Sequence, residues 1–177
     1  KFSKKMVIWL IGLSGAGKTA IGKELSKRLK KMNHPVVFMD GDIFREIMGN
    51  DLGHTIEDRK KNSDRICKFC ECLNRQGIDI VFAILSIFHE SRQWNRKNIT
   101  GYFEIYLDIS MDTLKRRDTK GLYKKVFAGE INNVVGVDIP FEPPVSPDMI
   151  INNDKDTDSF AGIVSQIIDR LKTKGFL

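Results

Sequence analysis

The sequence predicts an α/β fold, a five-stranded parallel sheet flanked by helices, and three observations predict it. Short apolar runs alternate with longer stretches in which apolar residues recur at three- and four-residue steps, the pattern of strands and helices in turn. The first run, Met6-Val7-Ile8-Trp9-Leu10-Ile11, is apolar throughout, as a parallel strand covered on both faces requires. It leads into Gly12-Leu13-Ser14-Gly15-Ala16-Gly17-Lys18-Thr19, which satisfies the phosphate-loop pattern G-x-x-x-x-G-K-[ST] at every fixed position. Strand, loop and following helix, in that order, mark a P-loop NTPase. The glycines let the backbone curl its amides inward, and the helix N-terminus adds partial positive charge, so the loop suits a polyphosphate. Lys18 is expected to lie exposed and to neutralise the β- and γ-phosphates of ATP, with the Thr19 hydroxyl offered to Mg²⁺.

The 177 residues suit one domain, 1–177, large enough to bury its own core. Hydrophobic residues at 41% and charged residues at 29% are ordinary for a soluble globular protein, and no apolar run approaches the roughly 20 residues that cross a bilayer. With no secretory signal in view, a cytoplasmic protein without membrane partners is expected. The net charge of +6 is scattered over helix faces and a loop rather than gathered in a stripe, so an anionic small molecule is expected as partner rather than nucleic acid. Cys67, Cys70 and Cys72 lack a fourth ligand, and Cys70 continues the apolar stripe Ile66, Phe69, Leu73; reduced thiols on a helix are expected, not a metal site.

After the loop, Ile21, Leu25, Leu29 and Met32 give the first helix an apolar stripe, which Pro35 ends. Val36-Val37-Phe38-Met39 is the second strand and runs into Asp40-Gly41-Asp42, at the strand end that faces the ligand crevice of an open α/β sheet. Two carboxylates there could orient a hydrated Mg²⁺ and take a proton from an attacking hydroxyl; the bland alternative is a solvated turn with Asp42 as a helix N-cap. Residues 45–55 show no strong period and are expected to be irregular. A helix from Glu57-Asp58 to about Arg75, stopped by Gly77, places Arg59, Asn62 and Arg65 at steps of three, able to reach one anion together or simply to face water. Ile78 to Leu85 reads as a central strand closed by Ser86, residues 91–97 as a polar helix, and Tyr102 to Leu107 as the fourth strand.

A short helix capped by Ser110 is expected to end near Arg117-Asp118. Residues 119–148 then hold three glycines, four of the five prolines and the basic cluster Lys120, Lys124, Lys125 with little repeating pattern, the composition of an active-site lid loop. Met149-Ile150-Ile151 is a short fifth strand, and the stripe Phe160, Ile163, Val164, Ile167, Ile168, Leu171 makes the last helix. A phosphate loop beside paired carboxylates and a basic lid describes a kinase of small molecules, and leaves the acceptor unnamed.

The acceptor follows from resemblance. Ile8 to Thr19, Asp40-Gly41-Asp42 with Arg45, Asp51-Leu52-Gly53, and above all Arg117-Asp118-Thr119-Lys120-Gly121-Leu122-Tyr123-Lys124-Lys125 resemble the adenylylsulfate kinase family. So do Ala128-Gly129-Glu130-Ile131 and Gly136-Val137-Asp138-Ile139-Pro140-Phe141-Glu142-Pro143-Pro144. The resemblance implies transfer of the ATP γ-phosphate to the 3′-hydroxyl of adenosine 5′-phosphosulfate, and a homodimer. By position it implies that Lys18, Asp40 and Asp42 are catalytic, with Asp40 and Thr19 serving Mg²⁺, and that Arg117 joins Gly12 to Thr19 in holding ATP. Arg45, His54, Arg59, Asn62, Arg65, Lys120, Lys124 and Val134 fall on the acceptor side. Ser86 matches a serine that accepts a phosphoryl group in the family, although in-line transfer needs no such intermediate and a hydrogen-bonding strand-end serine is the equal alternative.

The chain also departs from the family pattern. His54 and Val134 stand where the family has two aromatic residues around the acceptor's adenine, Ile43 replaces the asparagine of Asp-Gly-Asp-Asn, and Ile87 and His89 replace the proline and arginine of Ser-Pro-Tyr-Arg. Weaker adenine capture is therefore expected, partly rescued by Phe at 54 and 134. Three readings stand: an adenylylsulfate kinase with a loosened clamp; a paralogue acting on another nucleotide conjugate, such as cytidine diphosphoramidate; and a regulatory module that binds nucleotide without turnover.

Overall fold

The computed structural model describes residues 5–155 and 160–177. Among them, β1 (Val7–Ile11), β2 (Val36–Asp40), β3 (Asp79–Ile84), β4 (Tyr102–Asp108) and β5 (Met149–Asn152) form one sheet in the order β2-β3-β1-β4-β5. All four strand pairings are parallel. The register aligns Ile11 with Ile84 on one side and with Tyr106 on the other, while Asp40 pairs with Ala83. Consequently the phosphate loop after β1, the acidic pair at the end of β2 and Ser86 after β3 emerge at the carboxyl edge of the sheet.

Strand β1 is buried on both faces, and its alternation divides the interior in two. Ile8 and Leu10 pack with Ile21, Leu25 and Leu29 of α1 (Lys18–Lys31) and with Val164, Ile167 and Leu171 of α7 (Ala161–Thr173). Val7, Trp9 and Ile11 face the opposite layer, with Phe44 of α2 (Gly41–Ile47) and Ile66, Cys67 and Cys70 of α3 (Ile56–Arg75). The predicted stripe through Cys70 is thus core, and burial pushes the Cys67 thiol up to about 11 and Cys70 well above the ordinary range. Close packing of α1 on the sheet explains Gly22, where a Cβ would come within 2.5 Å of the Phe38 ring.

Two stretches expected to lack regular structure contain helices. Within 45–55, Arg45 belongs to α2, whose N-cap is Asp40: its Oδ1 accepts the Ile43 N–H at 2.9 Å, so Asp42 lies in the first turn and is not the cap. Seven residues with one buried side chain, Phe44, are too few to display a period. Within 119–148, α6 (Leu122–Phe127) follows α5 (Met111–Arg116) and is built on Gly121 at φ 66° and on Asp118, whose carboxylate accepts the Leu122 and Lys124 N–H groups. The Ser110 cap is found as expected, and α4 spans His89–Asn98, starting two residues earlier than read. None of the described helices is long and apolar enough to cross a membrane.

Candidate active site

The phosphate loop is held from behind by its own carbonyls. Gly15 and Gly17 take φ of 82° and 91°, a region that glycine enters without a Cβ penalty. Lys18 does not project freely as expected: Nζ turns back to donate to the Leu13 carbonyl at 2.7 Å. Burial presses its ammonium down to about 8, against the opposing pull of Asp42 and Asp40. A bound polyanion would give this ammonium a charged partner in place of the neutral Leu13 carbonyl. Two further side chains reach the loop, Tyr123 of α6 to the Ser14 carbonyl at 2.8 Å and Asn153 to the Ala16 carbonyl at 2.9 Å. Arg117 supports the same region, donating to the carbonyls of Asn153 and Lys155, each at 2.8 Å.

Beside the loop, the Thr19 hydroxyl lies 3.3 Å from Asp40 Oδ2. Parallel pairing brings the start of α1 and the end of β2 to the same edge, so two oxygen ligands suited to a hard cation converge there. Asp40 thereby serves both as helix cap, through Oδ1, and as the carboxylate facing Thr19, through Oδ2. Asp42 points outward, largely exposed, with the lid's Lys120 Nζ 3.4 Å from its Oδ2. That is the contact by which the lid reaches the acidic pair.

The arginines predicted for the acceptor do not converge as free donors. Arg45 donates to the Leu52 and Gly53 carbonyls, and Arg59 to the His54 carbonyl at 2.9 Å and to the lid's Asn133 carbonyl at 2.8 Å. Arg65 is paired through both nitrogens with exposed Asp51, and Asn62 is buried beneath. Arg45, Arg59 and His54 nevertheless share one electrostatic neighbourhood. Burial and then the Arg45 charge press Arg59 down, and burial, Arg45 and Arg59 lower His54, which keeps the imidazole uncharged at neutral pH. Asp138 beside Arg59 and Asp42 and Asp58 beside His54 offset part of this repulsion, and a bound anion would relieve more of it.

Val134 lies at 6% exposure within the core cluster, and its neighbours are tied by Asp138, which accepts the Val134 N–H at 2.6 Å. Lys124 of α6 lines a cavity of about 350 Å³ with Lys115, Tyr123 and Phe127. Ser86 is buried in a left-handed conformation, φ 53°, and its Oγ accepts the Trp9 indole N–H at 2.9 Å. Its carbonyl accepts from Arg92 at 2.8 Å, and the same guanidinium reaches the Glu142 carbonyl of the lid. Sequence reasoning missed Tyr123, Asn153, Asp118 and Arg92 as site residues. Asp118 and Tyr123 lie inside the motif that carries the family resemblance, and Asn153 follows the carboxyl end of a parallel strand, so these three had a usable signal; Arg92 had none.

The adenylylsulphate kinase family model matches residues 4–152. The adenylyl-sulfate kinase of Halothermothrix orenii is 37% identical over 174 residues, covering 98% of this chain and 93% of that protein. Cytidine diphosphoramidate kinase of Campylobacter jejuni is 44% identical over 150 residues, covering 83% of this chain and 85% of that protein. The structure of the Mycobacterium tuberculosis APS kinase in complex with AMPPNP and APS superposes with a TM-score of 0.87 at 30% identity, covering 96% of this chain and 99% of that one. With the loop, the acidic pair and the lid in one crevice and the family model matched over most of its length, the chain belongs to the adenylylsulphate kinase family of P-loop kinases.

Proposed function

We propose that this chain transfers the γ-phosphate of ATP to the 3′-hydroxyl of adenosine 5′-phosphosulfate. The observation that carries the reading is the meeting of Thr19 and Asp40 at 3.3 Å beside Lys18, with Asp42 two residues further on in the first turn of α2. Gly12 to Thr19 cradle the polyphosphate through backbone N–H groups, with Arg117 on the nucleotide side, and Lys18 exchanges its Leu13 carbonyl for the transferring phosphoryl oxygens. Thr19 and Asp40 would hold Mg²⁺, which would supply charge neutralisation to the phosphates. Asp42 orients the acceptor hydroxyl and takes its proton, releasing Lys120 to follow the lid. Arg45, Arg59 and His54, with Asn62 and Arg65 behind them, receive the acceptor's anionic end. The family resemblance supports a homodimer as the working assembly, which light scattering tests.

A second reading, transfer to a cytidine diphosphate conjugate, is favoured by His54 and the buried Val134, which stand where the resemblance implies two aromatic residues around the base. The test is ADP formation from ATP and Mg²⁺ with adenosine 5′-phosphosulfate. Wild-type enzyme is expected to release ADP only when the acceptor is present, and Lys18→Ala to release none. ADP release indifferent to every nucleotide acceptor would overturn the kinase assignment.

A further inference from the structure

The phosphate loop works only if its amides face the ligand, and a planar peptide fixes each amide opposite the preceding carbonyl. Holding a carbonyl outward therefore aims the next N–H inward. Among the loop's carbonyls, Leu13 is held by Lys18 from within the motif, but Ser14 and Ala16 are held from outside it. The two outside donors are the Tyr123 hydroxyl at 2.8 Å and the Asn153 amide at 2.9 Å. Both side chains are nearly sealed from water, at 1% and 2% exposure, and both are themselves fixed. Tyr123 packs in the core cluster from α6, and the Asn153 backbone is clamped by the Asp108 carbonyl on one side and Arg117 on the other. A Cβ at Gly17 would lie 3.0 Å from Asn153 Nδ2 and 3.3 Å from the Phe160 ring, so the loop and this asparagine are fitted closely.

We propose that Tyr123 and Asn153 are positioning residues of the phosphate loop, holding the Ser14 and Ala16 carbonyls outward so that the Gly15 and Gly17 N–H groups face the polyphosphate. Neither residue touches the reacting atoms. Because Tyr123 belongs to α6, the same bond ties that helix to the loop. Its hydroxyl stays protonated as the bond requires, since burial and then the Asp118 charge push it up to about 12.

The inference rests on the kinase reading, and the experiment separates the two. Binding of AMPPNP with Mg²⁺ is measured by calorimetry for wild type, Tyr123→Phe and Asn153→Ala, alongside KM for ATP, KM for the acceptor, kcat and melting temperature. Loss of one neutral hydrogen bond from a preorganised loop is expected to weaken AMPPNP binding and raise KM for ATP about three- to tenfold in each variant. Acceptor KM and kcat at saturating ATP stay within about twofold, because bound nucleotide reassembles the loop. Tyr123→Phe keeps the ring and its packing, so it decides the matter even if Asn153→Ala folds poorly. Wild type that fails to bind AMPPNP contradicts the kinase reading. Wild type that binds, with Tyr123→Phe binding equally well, overturns this inference, as does a lowered melting temperature with both nucleotide constants unchanged.

Discussion

A lysine held at about 8 inside a loop of inward-facing amides is an expensive arrangement for the folded chain and a useful one for the reaction. The group's ordinary value is 10.5, so the unfolded chain binds the proton more tightly and stability rises with pH between about 8 and 10.5. Replacing it removes that penalty. Lys18→Ala is thus expected to lose phosphoryl transfer while melting at the same or a higher temperature at pH 7, by scanning fluorimetry. In the wild type, kcat/KM for ATP falls as pH rises through about 8, because the free enzyme loses the ammonium that meets the phosphates. Asp42 is a different case. It is exposed, is not the helix cap and has Lys120 Nζ 3.4 Å from its carboxylate, so Asp42→Asn is expected to lower turnover roughly 10²-fold with little change in nucleotide affinity. Equal losses in nucleotide affinity, with saturated turnover preserved, would make Asp42 a binding group. Loop and acidic pair were legible in the sequence because their chemistry depends on contiguous residues. The inward turn of Lys18 was not, because nothing in a one-dimensional pattern tells where a flexible ammonium finds an acceptor.

At the level of elements, the lid is less a loop than a set of tethers. Asp118 accepts the Leu122 and Lys124 N–H groups of α6, Tyr123 fastens α6 to the phosphate loop, Arg59 fastens residue 133 to the 52–54 loop, and Arg92 fastens residue 142 to the end of β3. Composition revealed the segment, through its glycines, prolines and lysines. Its helix stayed hidden because six residues make fewer than roughly two turns and the carboxylate that accepts their first N–H groups lies upstream at Asp118. The same shortness hid α2, whereas α1, α3 and α7 announced themselves through sustained stripes. Arg59 offers the element-level test, since it bonds both the 52–54 loop and the lid. Arg59→Ala is expected to raise acceptor KM about tenfold or more while KM for ATP changes little, because charge-assisted bonds to both segments disappear at once. Steady-state kinetics with each substrate varied in turn would show it, and a matching rise in KM for ATP would contradict it.

Across the whole molecule, alternation of strands and helices gave the parallel sheet and its carboxyl-edge crevice, while the strand order β2-β3-β1-β4-β5 came only with the coordinates. Sequence period says what each element buries, not which neighbour it pairs with. The acceptor is the matter that the whole site decides. A Phe at 134 no longer fits the proposed rescue, because Val134 is core and the added volume would cost about 1–3 kcal/mol of overpacking. His54 is exposed at the crevice, uncharged beside Arg45 and Arg59, and remains the position to change. An aromatic ring there adds stacking worth roughly 1–3 kcal/mol per base.

The most direct measurement is therefore steady-state phosphoryl transfer from ATP to adenosine 5′-phosphosulfate and to a cytidine diphosphate conjugate, side by side, for wild type and His54→Phe. The predicted result is ADP formation with adenosine 5′-phosphosulfate, a product carrying the new phosphate on the 3′-oxygen, and a lower KM for that acceptor in His54→Phe. Transfer to the cytidine conjugate with none to adenosine 5′-phosphosulfate, in either protein, would contradict it.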